Sequence, residues 1–202
     1  MKSPISFYFD FASPYGYLAA EMIEEFASRH GRQTAWHPML LGAVFKATGG
    51  KPLTEQAMKG EYSLADFRRS AAYYGVPFRT PSVFPIATIN TCRASLWMQE
   101  KHPAHAKKFM LELYRAYFRG DRDIGKLDVI GDVAKGLGYD ADEVIAAVQS
   151  DDIKAKLKAA VDEAMAKGVF GAPFFFIDGE PFWGADRFPM MATWLTKGAW
   201  SY

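Results

Sequence analysis

The chain begins with a dense apolar and aromatic run, ISFYFDF (residues 5–11), which predicts a buried strand. The period then changes. Leu18, Met22, Ile23 and Phe26 fall on one stripe while Glu21, Glu24, Glu25 and Arg29 face away, a helix that Gly31 stops. QTAWHPML (33–40) predicts a second strand ended by Pro38. A strand, a helix and a strand in this order predict a parallel pair.

From about residue 41 to 168 the pattern is helix after helix. YSLADFRRSAAYYG (62–75) is amphipathic and ends at Gly75. VPFRTPSVFP (76–85) carries three prolines and predicts an irregular connection. Residues 87–101 and 104–118 predict two helices split at His102-Pro103. Asp140 and Glu143 form a capping-box pattern for a helix carrying Val144, Ile145 and Val148. The last helix of the block carries Ile153, Leu157, Val161, Ala164 and Met165 and stops at Gly168. Strand structure then returns: APFFFIDGEPFWGADR (172–187) predicts a hairpin around an Asp-Gly turn, followed by a final helix over roughly 186–197.

This order predicts an α/β protein with a thioredoxin-like mixed sheet and a large all-helical insertion. Residues 1–40 and 169–202 form the thioredoxin-like part and 41–168 the insertion. No repeat, low-complexity segment or linker interrupts it.

Composition narrows the function classes. The net charge of +1 gives no reason to expect nucleic acid or an anionic membrane as partner. No stretch approaches the 18 apolar residues of a spanning helix, and no signal peptide is visible, so a cytoplasmic location is expected. The single cysteine, Cys92, excludes an internal disulfide and a dithiol redox cycle. Aromatics, 15% of residues, suit a large core or a pocket for a flat ligand.

In a thioredoxin-like topology the first strand-to-helix turn carries the chemistry. Here that turn reads Ser13-Pro14-Tyr15-Gly16. Ser13 before Pro14 is explained by helix capping alone. The same helix start also favours a thiolate, and the Ser13 hydroxyl can donate to one. The histidines show no triad spacing and no Gly-x-Ser-x-Gly elbow occurs, which argues against a serine hydrolase. Opposite the turn, Pro173 in GVFGAPFFF is either a strand-initiating trans proline or, as the element order favours, a cis proline exposing the Ala172 backbone. In WGADR (183–187), Asp186 is a dipole partner or an ammonium ligand, and the N–H groups there suit a carboxylate. His102 and His105 have a suggestive metal spacing, but Pro103 and the lack of a cysteine or carboxylate pattern argue against zinc.

Together, FYFDFASPYGYLA, GVFGAPFFFIDG and WGADR resemble the 2-hydroxychromene-2-carboxylate isomerases, which sit with kappa-class glutathione transferases in the DsbA-like branch of the thioredoxin superfamily. The resemblance covers nearly the whole chain, with the end motifs more specific than the middle. It implies glutathione as cofactor or cosubstrate, with Ser13 bonding the sulfur. It also implies that the Ala172 backbone, held by cis-Pro173, pairs with the tripeptide and that Gly184, Ala185 and Asp186 hold the γ-glutamyl end. Lys59 resembles a ligand-contacting lysine, and a solvated surface role is its alternative. Relatives often have Asn or Ser at Ala185 and asparagine at Gly50, so this chain departs from the pattern at both.

The implied activity is cis-trans isomerisation of 2-hydroxychromene-2-carboxylate-type ring-cleavage products in aromatic catabolism, through reversible thiolate addition. Tyr15, Phe45, Phe84 and Trp183 are candidates for the aromatic wall or for the core. Asn90 and Arg93 are candidates for the substrate carboxylate or for a helix surface. The alternatives are a kappa-like transferase conjugating small electrophiles and a non-catalytic DsbA-like binding module. The implied partners are a small aromatic organic acid and, as a homodimer, a second copy.

Overall fold

The structure is a computed structural model that describes residues 2–200. Four strands form one mixed sheet in the order β2-β1-β3-β4. β1 (Ile5–Phe9) runs parallel to β2 (Thr34–Pro38), and Phe7 pairs with Trp36. On its other side β1 is antiparallel to β3 (Phe174–Ile177), which forms a hairpin with β4 (Glu180–Trp183). Asp178 and Gly179 both take positive φ, 53° and 94°, as a two-residue hairpin turn requires.

Helix α1 (Pro14–Arg29) links β1 to β2, and Gly31 follows its end at φ 62°. Seven helices then separate β2 from β3. They are α2 (Leu41–Thr48), α3 (Lys59–Tyr74), α4 (Ile89–Lys101), α5 (Pro103–Phe118), α6 (Leu127–Gly136), α7 (Ala141–Gln149) and α8 (Asp151–Ala166). The terminal α9 (Phe188–Lys197) follows a 3-10 turn over Ala185–Arg187.

Several boundaries depart from the sequence expectation. β1 ends at Phe9 rather than residue 11, because the Asp10 carboxylate turns back to accept the Ala12 N–H. α3 starts three residues early, at Lys59, and α9 two residues late, at Phe188, because the 3-10 turn occupies the expected start. α4 starts at Ile89 rather than 87, while Pro103 occupies the first position of α5. Asp140 caps α7 by accepting from Asp142 N and Glu143 N. In the proline-rich connection the Phe84-Pro85 bond is cis, which the sequence did not suggest.

Successive β1 side chains point to opposite faces. Phe7 and Phe9 enter the main core with Leu18, Ile23, Trp36, Phe109, Phe118 and Phe175. Tyr8 faces a smaller cluster with Val44, Ala164 and Phe174. Each fully buried Phe or Leu contributes about 1.5–3 kcal/mol by leaving water. Sheet and helical block therefore share one apolar interior, which fixes the α1 start relative to α3, α4 and α5.

Candidate active site

The β1–α1 turn is tightly determined. Ser13 sits at the α1 N-cap, where its Oγ accepts from Gly16 N at 3.0 Å. Its own N–H donates to Asp10 O at 2.9 Å. Gly16 is required by close approach: a Cβ there would lie 2.7 Å from Tyr114 Oη and 3.1 Å from Ser13 Cβ. Tyr114 itself donates to Asp10 O at 2.9 Å. Ser13 is buried, 7% exposed.

The second loop meets this turn directly. The Ala172-Pro173 bond is cis, and Ser13 Oγ donates to Ala172 O at 3.0 Å. Pro173 O in turn accepts from Gly184 N at 3.0 Å, which brings the third segment into place. Gly184 has φ 114°, a conformation only glycine adopts readily, and a Cβ there would overlap Asp186 Oδ1. Trp183 folds over Gly171, where a Cβ would overlap its indole nitrogen, and packs on Phe170 with ring centroids 4.9 Å apart. Trp183 remains 54% exposed.

Helix α3 closes one side. Tyr15 donates to Asp66 Oδ2 at 2.6 Å, and its ring packs edge-on against Phe67. Tyr74 donates to Ala185 O at 3.3 Å, joining α3 to the 3-10 turn. Burial, then the bond to Asp66, holds the Tyr15 hydroxyl protonated well above the usual phenol range. That same bond, ahead of the Arg69 charge, pulls Asp66 below the usual carboxylate range. The Asp186 charge bears on both Tyr15 and Tyr74. Ser13, Tyr15, Ala172, Pro173, Gly184, Ala185 and Asp186 are thus linked through one connected set of contacts.

The remaining candidates divide. Lys59 is exposed at the first turn of α3, seven residues before Asp66, and has no ion pair among the described residues. That spacing places both on one helix face. Phe45 is half-buried on α2, and a Cβ on Gly50 would lie 3.0 Å from its ring. Phe84 packs among Phe67, Tyr117 and Phe118, in core surroundings. Asn90 donates to Gly125 O at 3.0 Å, so its amide ties α4 to a loop. Arg93 Nε is buried without a hydrogen-bond partner among the described residues. The His102 and His105 rings both pack on Tyr139.

Sequence reasoning missed Asp10, Asp66 and Tyr74. Asp66 was findable from its seven-residue offset to Lys59. Tyr74 carries no local signal, because its partner Ala185 is 111 positions away.

Similarity to known proteins runs over nearly the whole chain. Residues 4–196 match the family model for the DsbA-like thioredoxin domain. The chain is 32% identical to the 2-hydroxychromene-2-carboxylate isomerase of Sphingobium xenophagum over 197 residues, 96% of this chain and 99% of the relative. It is 28% identical to glutathione S-transferase kappa 2 of Caenorhabditis elegans, covering 97% of this chain and 93% of the relative. A solved 2-hydroxychromene-2-carboxylate isomerase superposes with TM-score 0.85 at 24% identity, over 94% of this chain and 92% of that one.

Proposed function

We propose, from the premise that this chain belongs to the 2-hydroxychromene-2-carboxylate isomerase family of DsbA-like thioredoxin proteins, that it is a glutathione-dependent cis-trans isomerase of 2-hydroxychromene-2-carboxylate-type acids. The observation that carries the reading is the meeting of a cysteine-free helix start at Ser13 with the Ala172 carbonyl. It joins a sulfur-binding position to a peptide-binding backbone.

The donor set fits glutathione. The α1 N-terminus and the Ser13 hydroxyl suit the sulfur. The Ala172 backbone suits the tripeptide chain. The N–H groups after Gly184 suit the γ-glutamyl carboxylate and Asp186 its ammonium, while Lys59 suits the glycyl carboxylate. Bound glutathione supplies a sulfur nucleophile whose reversible addition to a conjugated double bond permits rotation about it.

The protein's own part is electrostatic and positional. The Ser13 hydroxyl has one proton, given to Ala172 O. To bond a sulfur it turns that proton away, while Gly16 N keeps its oxygen in place. The α1 dipole favours negative charge at the same point. Tyr15 and Trp183 provide flat apolar surface, and the Tyr15 proton, retained by burial, stays on its bond to Asp66. This reading carries with it a homodimer in a cytoplasmic compartment.

The test is incubation of the protein with a chromene carboxylate, with and without glutathione, following the isomer ratio by absorbance and chromatography. Expected is isomerisation that requires glutathione and leaves it unconsumed. Consumption of glutathione into a stable adduct assigns a kappa-like transferase instead. Isomerisation at full rate without glutathione overturns the reading.

A further inference from the structure

Asp10 is 4% exposed, and no cation among the described residues pairs with it. Its carboxylate accepts from Ala12 N at 2.9 Å, Leu41 N at 2.7 Å and Thr88 Oγ1 at 2.8 Å. These donors come from three separate places: the turn entering α1, the first residue of α2 and the residue preceding α4. Neither α2 nor α4 has a side-chain cap of its own. Leu40 cannot cap. Thr88 makes no cap bond, and its hydroxyl donates to Asp10 instead.

We propose that Asp10 is a positioning residue: its one carboxylate binds the N-terminal ends of α1, α2 and α4 together and so fixes Ser13 against the helical block. The backbone of the same residue completes the hold, since Asp10 O accepts from both Ser13 N and Tyr114 Oη at 2.9 Å. Two of the three carboxylate donors are backbone N–H groups, which cannot reverse, and three helix N-termini present partial positive charge. Both favour the carboxylate anion without a counter-ion. Burial still dominates and holds the Asp10 carboxyl above the usual carboxylate range, with the three hydrogen bonds opposing the rise. The connection to catalysis rests on the assignment of Ser13 as the sulfur's partner; the connection to the Ser13 turn does not.

Thr88→Val tests it by cutting the α4 tie while leaving shape and charge in place, and Asp10→Asn cuts deeper. Because Asp10→Asn risks misfolding, Thr88→Val decides. In the ligand-free protein, amide exchange at Ala12, Ser13 and Gly16 is expected to speed up about tenfold. With glutathione bound, the thiol titration midpoint is expected to rise by about half a pH unit. The same variant is expected to lose kcat about threefold to tenfold while glutathione affinity stays within about twofold. A residue serving only bulk stability would lower the melting temperature and leave the thiol titration in place. Wild-type exchange at those amides in folded Thr88→Val overturns the proposal whether or not glutathione binds. If the wild type binds no glutathione, the role of Ser13 falls and the exchange result alone decides for or against Asp10.

Discussion

Ser13 Oγ donates to Ala172 O at 3.0 Å, across 159 positions of sequence. That bond joins the two loops of the candidate site directly. On the proposed reading both partners also serve glutathione, the hydroxyl its sulfur and the loop backbone its peptide, so binding would exchange the internal bond for external ones and redirect the hydroxyl proton.

Ser13→Ala removes that bond and the α1 cap together. The cap loss costs about 1 kcal/mol, a drop of about 2–4 °C in melting temperature for a chain of this size. The larger effect is expected on the bound thiol. Its titration midpoint rises and kcat falls about tenfold or more, as for a charge-assisted hydrogen bond. Thiolate absorbance across pH reads this directly, and an identical midpoint in both proteins would remove Ser13 from the role.

Gly16→Ala puts a methyl 2.7 Å from Tyr114 Oη. The cost is expected at about 1–3 kcal/mol in urea unfolding, the range for overpacking. Tyr114→Phe in the same background removes the obstructing oxygen and should recover part of the loss. No recovery would mean that the Ser13 Cβ contact at 3.1 Å dominates.

Gly184→Ala forces a side chain into φ 114° and onto Asp186. The fold should persist, because the position lies at the end of a hairpin. Glutathione affinity is expected to fall about tenfold by calorimetry, a loss of about 1.4 kcal/mol. Unchanged affinity would separate this turn from the γ-glutamyl end.

Much of this was legible in the order of elements. The switch from strand to helical period and back located the sheet halves, and the Asp-Gly turn located the hairpin. Ser13, Pro173 and Asp186 stood out as candidates because each lies at a boundary where backbone geometry constrains residue choice. Asp10 was not, since an aspartate ending an aromatic run reads as a strand terminus; its partners at Leu41 and Thr88 lie 31 and 78 positions away. Asn90 read as a candidate because amides suit carboxylates, yet folding gives its N–H to Gly125 O.

His37 should make stability depend on pH. Its ring stacks on Tyr8 at 4.5 Å, and burial, then the Lys167 charge, lowers its pKa below the usual 6.5. The unfolded chain therefore binds a proton at a higher pH than the folded one does. Stability is full above about pH 6.5 and falls as pH drops below it, until the folded form is protonated too. Melting curves from pH 7.5 to 5 should show this slope, and His37→Gln should flatten it. An equal slope in both proteins assigns the acid sensitivity elsewhere.

The sheet order has a consequence for how the chain is made. β1 is an interior strand that leads into the first loop of the site, but its partner β3, which the second loop precedes, begins only at Phe174. A growing chain can pair β1 with β2 once about 40 residues have emerged, while Ala172 reaches Ser13 only near the end of synthesis. At about 5–20 residues per second, β1 spends several seconds with one edge uncovered. Its unpaired backbone edge is then open to other chains, so a strand that leads into the site is also one that gains from protection during translation.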